Sequence, residues 1–199
     1  MEPLSPKRDD GKVRIERLAL ADVFLYRPRR LEDRRGFFCE TFNQAALETV
    51  AGPLDWVQDN QSSSNLRGVL RGLHFQLPPF SQDKLVRCVR GTILDVAVDL
   101  RHGSPTFGRH AKALISADGG EQIFVPKGFA HGFLTLDAGC EVLYKVTSYY
   151  SAEHDRCIRW NDPALAIEWG VTSEEVILSE RDAVAPLLSE TPACFVFGG

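Results

Sequence analysis

No stretch of this 199-residue chain is apolar for long enough to cross a bilayer, and residues 1–12 are polar and interrupted by Pro3 and Pro6. They lack the apolar core of a secretory signal, so no membrane association is expected and the cytoplasm is the expected compartment. Cysteine is sparse: Cys39, Cys88, Cys140, Cys157 and Cys194 are odd in number, scattered, and nowhere spaced as CxxC. That disfavours a disulfide framework and a zinc cluster, and leaves small, half-buried thiols in strands as the plainer reading. Positive charge is short as well. Lys and Arg number 23 against 27 Asp and Glu, a net of -4. This argues against a nucleic-acid partner, yet a basic pocket for a small phosphorylated ligand remains compatible with an acidic chain. Helix signals are few, and there is no internal repeat, low-complexity segment or linker.

What the chain does have is 44% hydrophobic residues, enough for one compact domain, 1–199, with its core over about 15–188. Turn residues punctuate it every eight to twelve positions or so, the spacing of an all-β sandwich or barrel. Residues 85–89 read as a strand that Gly91 breaks. In the strand at 92–100, Leu94, Val96, Val98 and Leu100 share one face, while Ile93, Asp95, Ala97 and Asp99 share the other. Further strands are expected at 111–115 and 121–125. A hairpin is expected from 133–136 and 141–147 around Asp137-Ala138-Gly139. Asn43 can cap a short helix that Gly52-Pro53 ends. One or two short helical turns are expected after Ser173.

Three stretches carry chemistry. The densest, 58–84, sets Arg67, Arg71, His74 and Lys84 among apolar residues. Strict alternation along 70–76 places Leu70, Gly72, His74 and Gln76 on one side. An imidazole on the inner face of a barrel suits proton transfer near neutral pH; a core histidine satisfied by a neighbour is the plainer reading of the same pattern taken alone. In the second stretch, Pro126 and Gly128 form a tight corner and His131 follows as the chain re-enters a strand. Two histidines on two strands suggest a metal. A bound cation needs three or four converging ligands, however, and no second histidine or nearby carboxylate follows His74 until Asp83. The third, Tyr144-Lys145-Val146-Thr147-Ser148-Tyr149-Tyr150, offers phenols as acids, stacking surfaces or interface aromatics.

Taken together, these stretches resemble the dTDP-4-dehydrorhamnose 3,5-epimerases over about residues 15–188. The likeness rests on separate motifs in one order: Asp33-Arg34-Arg35-Gly36-Phe37-Phe38-Cys39-Glu40, Gln58-Asp59-Asn60, the run from Leu70 to Gln76, Lys84-Leu85-Val86-Arg87, the Asp95 strand with Ser104-Pro105-Thr106-Phe107-Gly108, PKGFAHGF at 126–133, Tyr144-Lys145, Trp160-Asn161-Asp162-Pro163 and Leu178-Ser179-Glu180-Arg181-Asp182. The resemblance implies a cupin fold: an all-β jelly-roll barrel with a few short helices, mostly toward the C-terminus, working as a homodimer without metal or other cofactor. It also accounts for the solitary Pro-x-Gly-x-x-His element, which looks like the second cupin metal motif in a chain whose first motif has lost its His-x-His.

The resemblance further implies a dTDP-linked 4-keto-6-deoxy sugar as substrate, inverted at C3 and C5. His74 matches the base, Asp182 the carboxylate that orients it, Tyr144 the acid on the opposite face, and Lys84 a substrate-binding cation beside the developing oxyanion. Asp95 is a candidate support for Lys84 or His74. Arg35 and Arg71 match diphosphate contacts, Glu40, Gln58, Asp59 and Asn60 nucleoside contacts, and Tyr150 a base-stacking ring. His131, Asp155 and Arg181 match other ligand contacts. The chain departs from the pattern at Gln61, where many relatives have His, at Gly170 after Trp169, and in a small length change over 170–177. Alternatives at this point are a single-centre 3- or 5-epimerase, a 3,4-ketoisomerase, a metal-dependent cupin oxygenase and a non-catalytic sugar-nucleotide binder.

Overall fold

The computed structural model describes residues 13–198, so the polar segment 1–12 lies outside the described residues. Chain order is β1 (Arg14–Arg17), β2 (Phe24–Arg27), β3 (Arg30–Asp33), β4 (Gly36–Cys39), α1 (Gln44–Ala51), β5 (Gln58–Ser64), β6 (Leu70–Gln76), β7 (Lys84–Arg90) and β8 (Thr92–Asp99). There follow β9 (Arg101–His102), β10 (His110–Ser116), β11 (Gln122–Val125), β12 (Phe129–Thr135), β13 (Cys140–Val146), β14 (Asp155–Cys157), α2 (Glu180–Ala183), a 3-10 turn at Leu188–Glu190 and β15 (Phe195–Val196).

Two antiparallel sheets make the jelly roll. One runs β1-β2-β11-β7-β13-β5 and the other β10-β8-β12-β6-β14. The alternation expected for β8 is realised on both of its faces. Ile93 and Ala97 point between the sheets, into a core shared with Val86, Ile123, Phe133 and Val142. Val96 and Val98 point outward, under Ile158, Trp160, Leu165 and Trp169 of the C-terminal segment. The outer face of the six-stranded sheet is covered in part by α1, whose Leu47 packs on Phe24, Tyr26, Leu85 and Phe124. Asn43 caps α1 by accepting from the Ala46 N–H at 3.0 Å, and Gly52 ends it at φ +78°.

Two local expectations are corrected. The segment around Asp137-Ala138-Gly139 does not close a hairpin. β12 belongs to the five-stranded sheet and β13 to the six-stranded one, so this turn carries the chain from one sheet to the other. A turn sequence reads the same in both cases; which strands pair is set by the distant partners β8 and β7. Strict alternation along β6 also fails. His74 pairs with His131 but Arg71 pairs with Phe133, so three steps on β6 match two on β12. The extra residue sits at Gly72, whose φ of +140° is open to glycine and strained for other residues.

Candidate active site

The bulge in β6 builds the site. Unbroken alternation would send Arg71 and His74 to opposite faces. With the bulge, Leu70, Leu73 and Phe75 enter the outer core, while Arg71, His74 and Gln76 line a cavity of about 240 Å³ between the sheets. Lys84, His131, Phe133, Tyr144, Tyr150 and Asp155 also line it, with Phe75 and Gln82. His74 comes from the five-stranded sheet and Tyr144 from the six-stranded one, so an imidazole and a phenol line the same cavity from opposite walls.

His74 Nε2 donates to Asp182 Oδ1 at 2.6 Å. The imidazole is one-third exposed and Asp182 is buried. Burial alone would push the Asp182 carboxyl up. The His74 hydrogen bond and charge, the Ser179 hydroxyl and the Gly72 backbone N–H outweigh it, and the carboxyl titrates below its ordinary value. Asp182 lies in α2, anchored by the preceding segment: the Ile177 N–H donates to Gly68 O at 2.8 Å, and the Leu70 N–H to Ile177 O at 3.0 Å. The length change at 170–177 therefore leaves Asp182 against His74.

Lys84 is buried, and its Nζ lies 3.4 Å from His74 O. Burial depresses its ammonium to about 8, against the pull of the Asp155 and Asp95 charges. The Tyr144 phenol is pushed above its ordinary value, chiefly by burial, with the Arg71 charge opposing and the Asp155 charge assisting. It stays protonated at neutral pH. Arg71 is held by Ser64 Oγ and Ser63 O at 3.3 and 3.1 Å.

Asp95 is fully buried but does not hold Lys84 or His74 through a hydrogen bond. His131 Nε2 donates to both of its carboxylate oxygens at 2.9 Å. The reason is register: Asp95 pairs with Phe133 and Ala97 with His131, so Asp95 and His131 are diagonal neighbours on the inner face. Among the described residues, no three or more His, Cys, Asp or Glu side chains are grouped to hold a metal ion.

At the mouth, Asp155 Oδ2 accepts from Arg181 at 2.5 Å and from the Tyr150 hydroxyl at 3.2 Å. The hydrogen bond that Arg181 donates to Asp155 accounts first for the raised guanidinium. Gln58 accepts from the Tyr150 N–H at 3.0 Å and donates to Asn60 at 2.7 Å. Alternation in β5 turns Asp59 the other way, where Lys145 holds it at 2.8 Å on the outer face. Arg35 and Glu40 do not line the cavity. Arg35 sits exposed on the β3–β4 hairpin, paired with Asp33 at 2.6 Å, and Glu40 is exposed just after it. Gln76 had been placed on the inner face without a task. It donates to Phe80 O and Tyr149 O and accepts from the Ser151 N–H, which ties the two loops flanking the cavity together.

The five cysteines are free, with Cys88 and Cys140 buried and the rest half-buried. No helix among the described residues is long and apolar enough to cross a membrane.

The family model for dTDP-4-dehydrorhamnose 3,5-epimerase matches residues 17–190. A dTDP-4-dehydrorhamnose 3,5-epimerase of Sinorhizobium fredii is 50% identical over 183 residues, 92% of this chain and 93% of that relative. A Legionella pneumophila epimerase solved in complex with dTDP-4-keto-L-rhamnose superposes with a TM-score of 0.89 at 39% identity, covering 94% of this chain and all of that one. A Bacillus anthracis 3,5-epimerase solved with TDP and pyrophosphate gives 0.84 at 48% identity, with 88% of this chain and 99% of that chain covered. With this agreement in sequence and in the cupin-type double sheet, the chain belongs to the dTDP-4-dehydrorhamnose 3,5-epimerase family.

Proposed function

We propose that the protein converts dTDP-4-dehydro-6-deoxy-D-glucose to dTDP-4-dehydro-L-rhamnose by inverting C3 and C5. The observation that carries this reading is His74 and Tyr144 lining one cavity from opposite sheets, with Lys84 lining it beside them. Inversion next to a ketone needs proton removal on one face, delivery on the other, and a positive charge where the enolate oxygen forms. In this scheme His74 Nδ1 takes the proton from C3 or C5. The electron pair of the broken C–H bond delocalises onto the C4 oxygen beside the Lys84 ammonium. The Tyr144 phenol then forms the new C–H bond from the other face, and the imidazolium and phenolate are reset by proton exchange with solvent. Asp182 fixes the imidazole tautomer and orientation.

In the same reading Arg71 holds the diphosphate, since a guanidinium suits phosphate oxygens. Tyr150 stacks on the base, and Gln58 and Asn60 line the approach to it. His131, held by Asp95, faces the sugar beside His74, and Asp155 and Arg181 close the mouth. Asp59, directed outward, contributes to the nucleoside site through its backbone. Arg35 and Glu40 serve the site of a second protomer: they ride on a hairpin whose Phe37 and Phe38 are 59% and 69% exposed, which supports a homodimer. The chain works as one domain in the cytoplasm, without a metal.

The test is proton exchange in deuterated water followed by NMR, coupled to a reductase with NADPH to draw off product. Deuterium is expected at both C3 and C5. Label at one carbon alone would reduce the activity to a single-centre epimerase. His74→Ala and Tyr144→Phe are each expected to cost at least about a hundredfold in turnover, and turnover is expected to survive chelation. Stoichiometric iron with activity lost on chelation would defeat the reading.

A further inference from the structure

We propose that Gln76 is a positioning residue for the nucleobase site, its carboxamide holding the backbone of Tyr150 so that the phenol ring stands ready to stack. The inference rests on the reading that Tyr150 stacks on the base. Gln76 ends β6, is buried, and lines the cavity. Its Nε2 donates to Phe80 O at 2.8 Å and to Tyr149 O at 3.1 Å, and its Oε1 accepts from the Ser151 N–H at 2.6 Å. The peptide groups on both sides of Tyr150 are therefore held by one side chain. The partners settle which way the amide points, because a carbonyl only accepts and a backbone N–H only donates. A carboxylate could not donate to the two carbonyls, and an apolar side chain could make none of the three bonds.

Tyr150 needs such a hold. It lies in irregular backbone between β13 and β14, and it is exposed. Gln58, from the six-stranded sheet, accepts from the Tyr150 N–H at 3.0 Å, while Gln76 belongs to the five-stranded one. Two carboxamides from two sheets thus grip the same residue. The loop after β6 is joined to the loop before β14 at further points: the Leu77 N–H donates to His154 O at 2.9 Å, and the Phe80 and His154 rings lie 4.6 Å apart. The bonds of Gln76 run to backbone groups of these two loops and not to His74, Lys84 or Tyr144. Its loss therefore frees the stacking ring while leaving the proton-transfer groups in place. A ring that is not held beforehand must be ordered when the ligand binds, and that cost appears in affinity.

Gln76→Met keeps the length of the side chain without the amide. It is expected to raise KM, and the calorimetric Kd for dTDP, about tenfold, with kcat within about twofold. Gln76→Ala leaves space that opens on the cavity rather than a misfit. It is expected to give the same split, and it carries the test if the methionine variant does not fold. The decisive measurement is a double-mutant cycle with Tyr150→Ala. If Gln76 acts through Tyr150, Gln76→Met adds less than about twofold to the dTDP Kd once the ring is gone. An undiminished effect in the Tyr150→Ala background overturns the proposal. So does a wild-type dTDP Kd in the Gln76 variants, or a loss of kcat larger than the loss of affinity. Tyr150→Ala alone tests the parent reading: if it binds dTDP like the wild type, the stacking assignment has failed. Weakened binding by Tyr150→Ala beside wild-type binding by Gln76→Met sinks the Gln76 role alone.

Discussion

Lys84 is the residue whose environment most constrains the chemistry. It is buried, and its ammonium is depressed to about 8 by that burial. If it stabilises the enolate, the charged form is the active one. kcat/KM, which reports the free enzyme, should then fall about tenfold per pH unit above pH 8. Lys84→Met is expected to be slow at neutral pH and to lose that alkaline limb. A wild-type profile flat from pH 7 to 9.5 would remove Lys84 from the mechanism. The linked stability moves the other way. Between about 8 and the ordinary lysine value of 10.5 the unfolded chain binds the proton that the folded chain has released, so stability rises with pH across that window. His74 was legible in the sequence through its company rather than its pattern, because alternation alone favours a quiet core histidine. Asp95 was legible as an inward carboxylate, but its partner was not: that depended on the register between β8 and β12.

At the scale of elements, the bulge in β6 is the device that turns a strand into a site. A Cβ added at Gly72 would lie 2.5 Å from Gly132 Cα and 3.0 Å from His131 O, on a backbone at φ +140°. Gly72→Ala is expected to cost at least about 2 kcal/mol of stability, read as a lower urea midpoint. Activity should fall further than stability does, because Arg71 and His74 share the cavity only through this bulge. A variant with wild-type midpoint and rate would show that the strand tolerates regular pairing. Sequence periodicity assumes an unbroken pleat, and for that reason Arg71 could be read as a ligand contact by resemblance yet not placed beside His74 by spacing. The crossing at 137–139 is similar. Local turn residues state that the chain reverses, and only the competition among strands for partners states into which sheet.

For the whole molecule, the β3–β4 hairpin is an exposed apolar feature among the described residues. Leu31, Phe37 and Phe38 are exposed on it, more apolar surface than a two-stranded ribbon presents to water without a partner. If it docks on a second protomer, Phe37→Ser with Phe38→Ser should shift sedimentation from dimer to monomer. It should also weaken substrate binding, since Arg35 and Glu40 flank the same aromatics. A monomeric wild type, or a double variant with unchanged mass and KM, would refute the dimer and return Arg35 and Glu40 to the surface.

The family, the all-β class, the placement of α1 and most strand positions can be read from the sequence, because alternation, caps and turn residues are local properties that adjacent side chains enforce. It also singled out His74, Tyr144 and Lys84 as residues in ordered motifs. The three-dimensional arrangement alone places His74 and Tyr144 on one cavity from two sheets, pairs Asp95 with His131, turns Asp59 outward, and brings Asp182 to His74 across 108 positions of chain. Those are long-range facts of register and sheet assignment. They follow from which strands exclude water together, and no window of neighbouring residues contains that information.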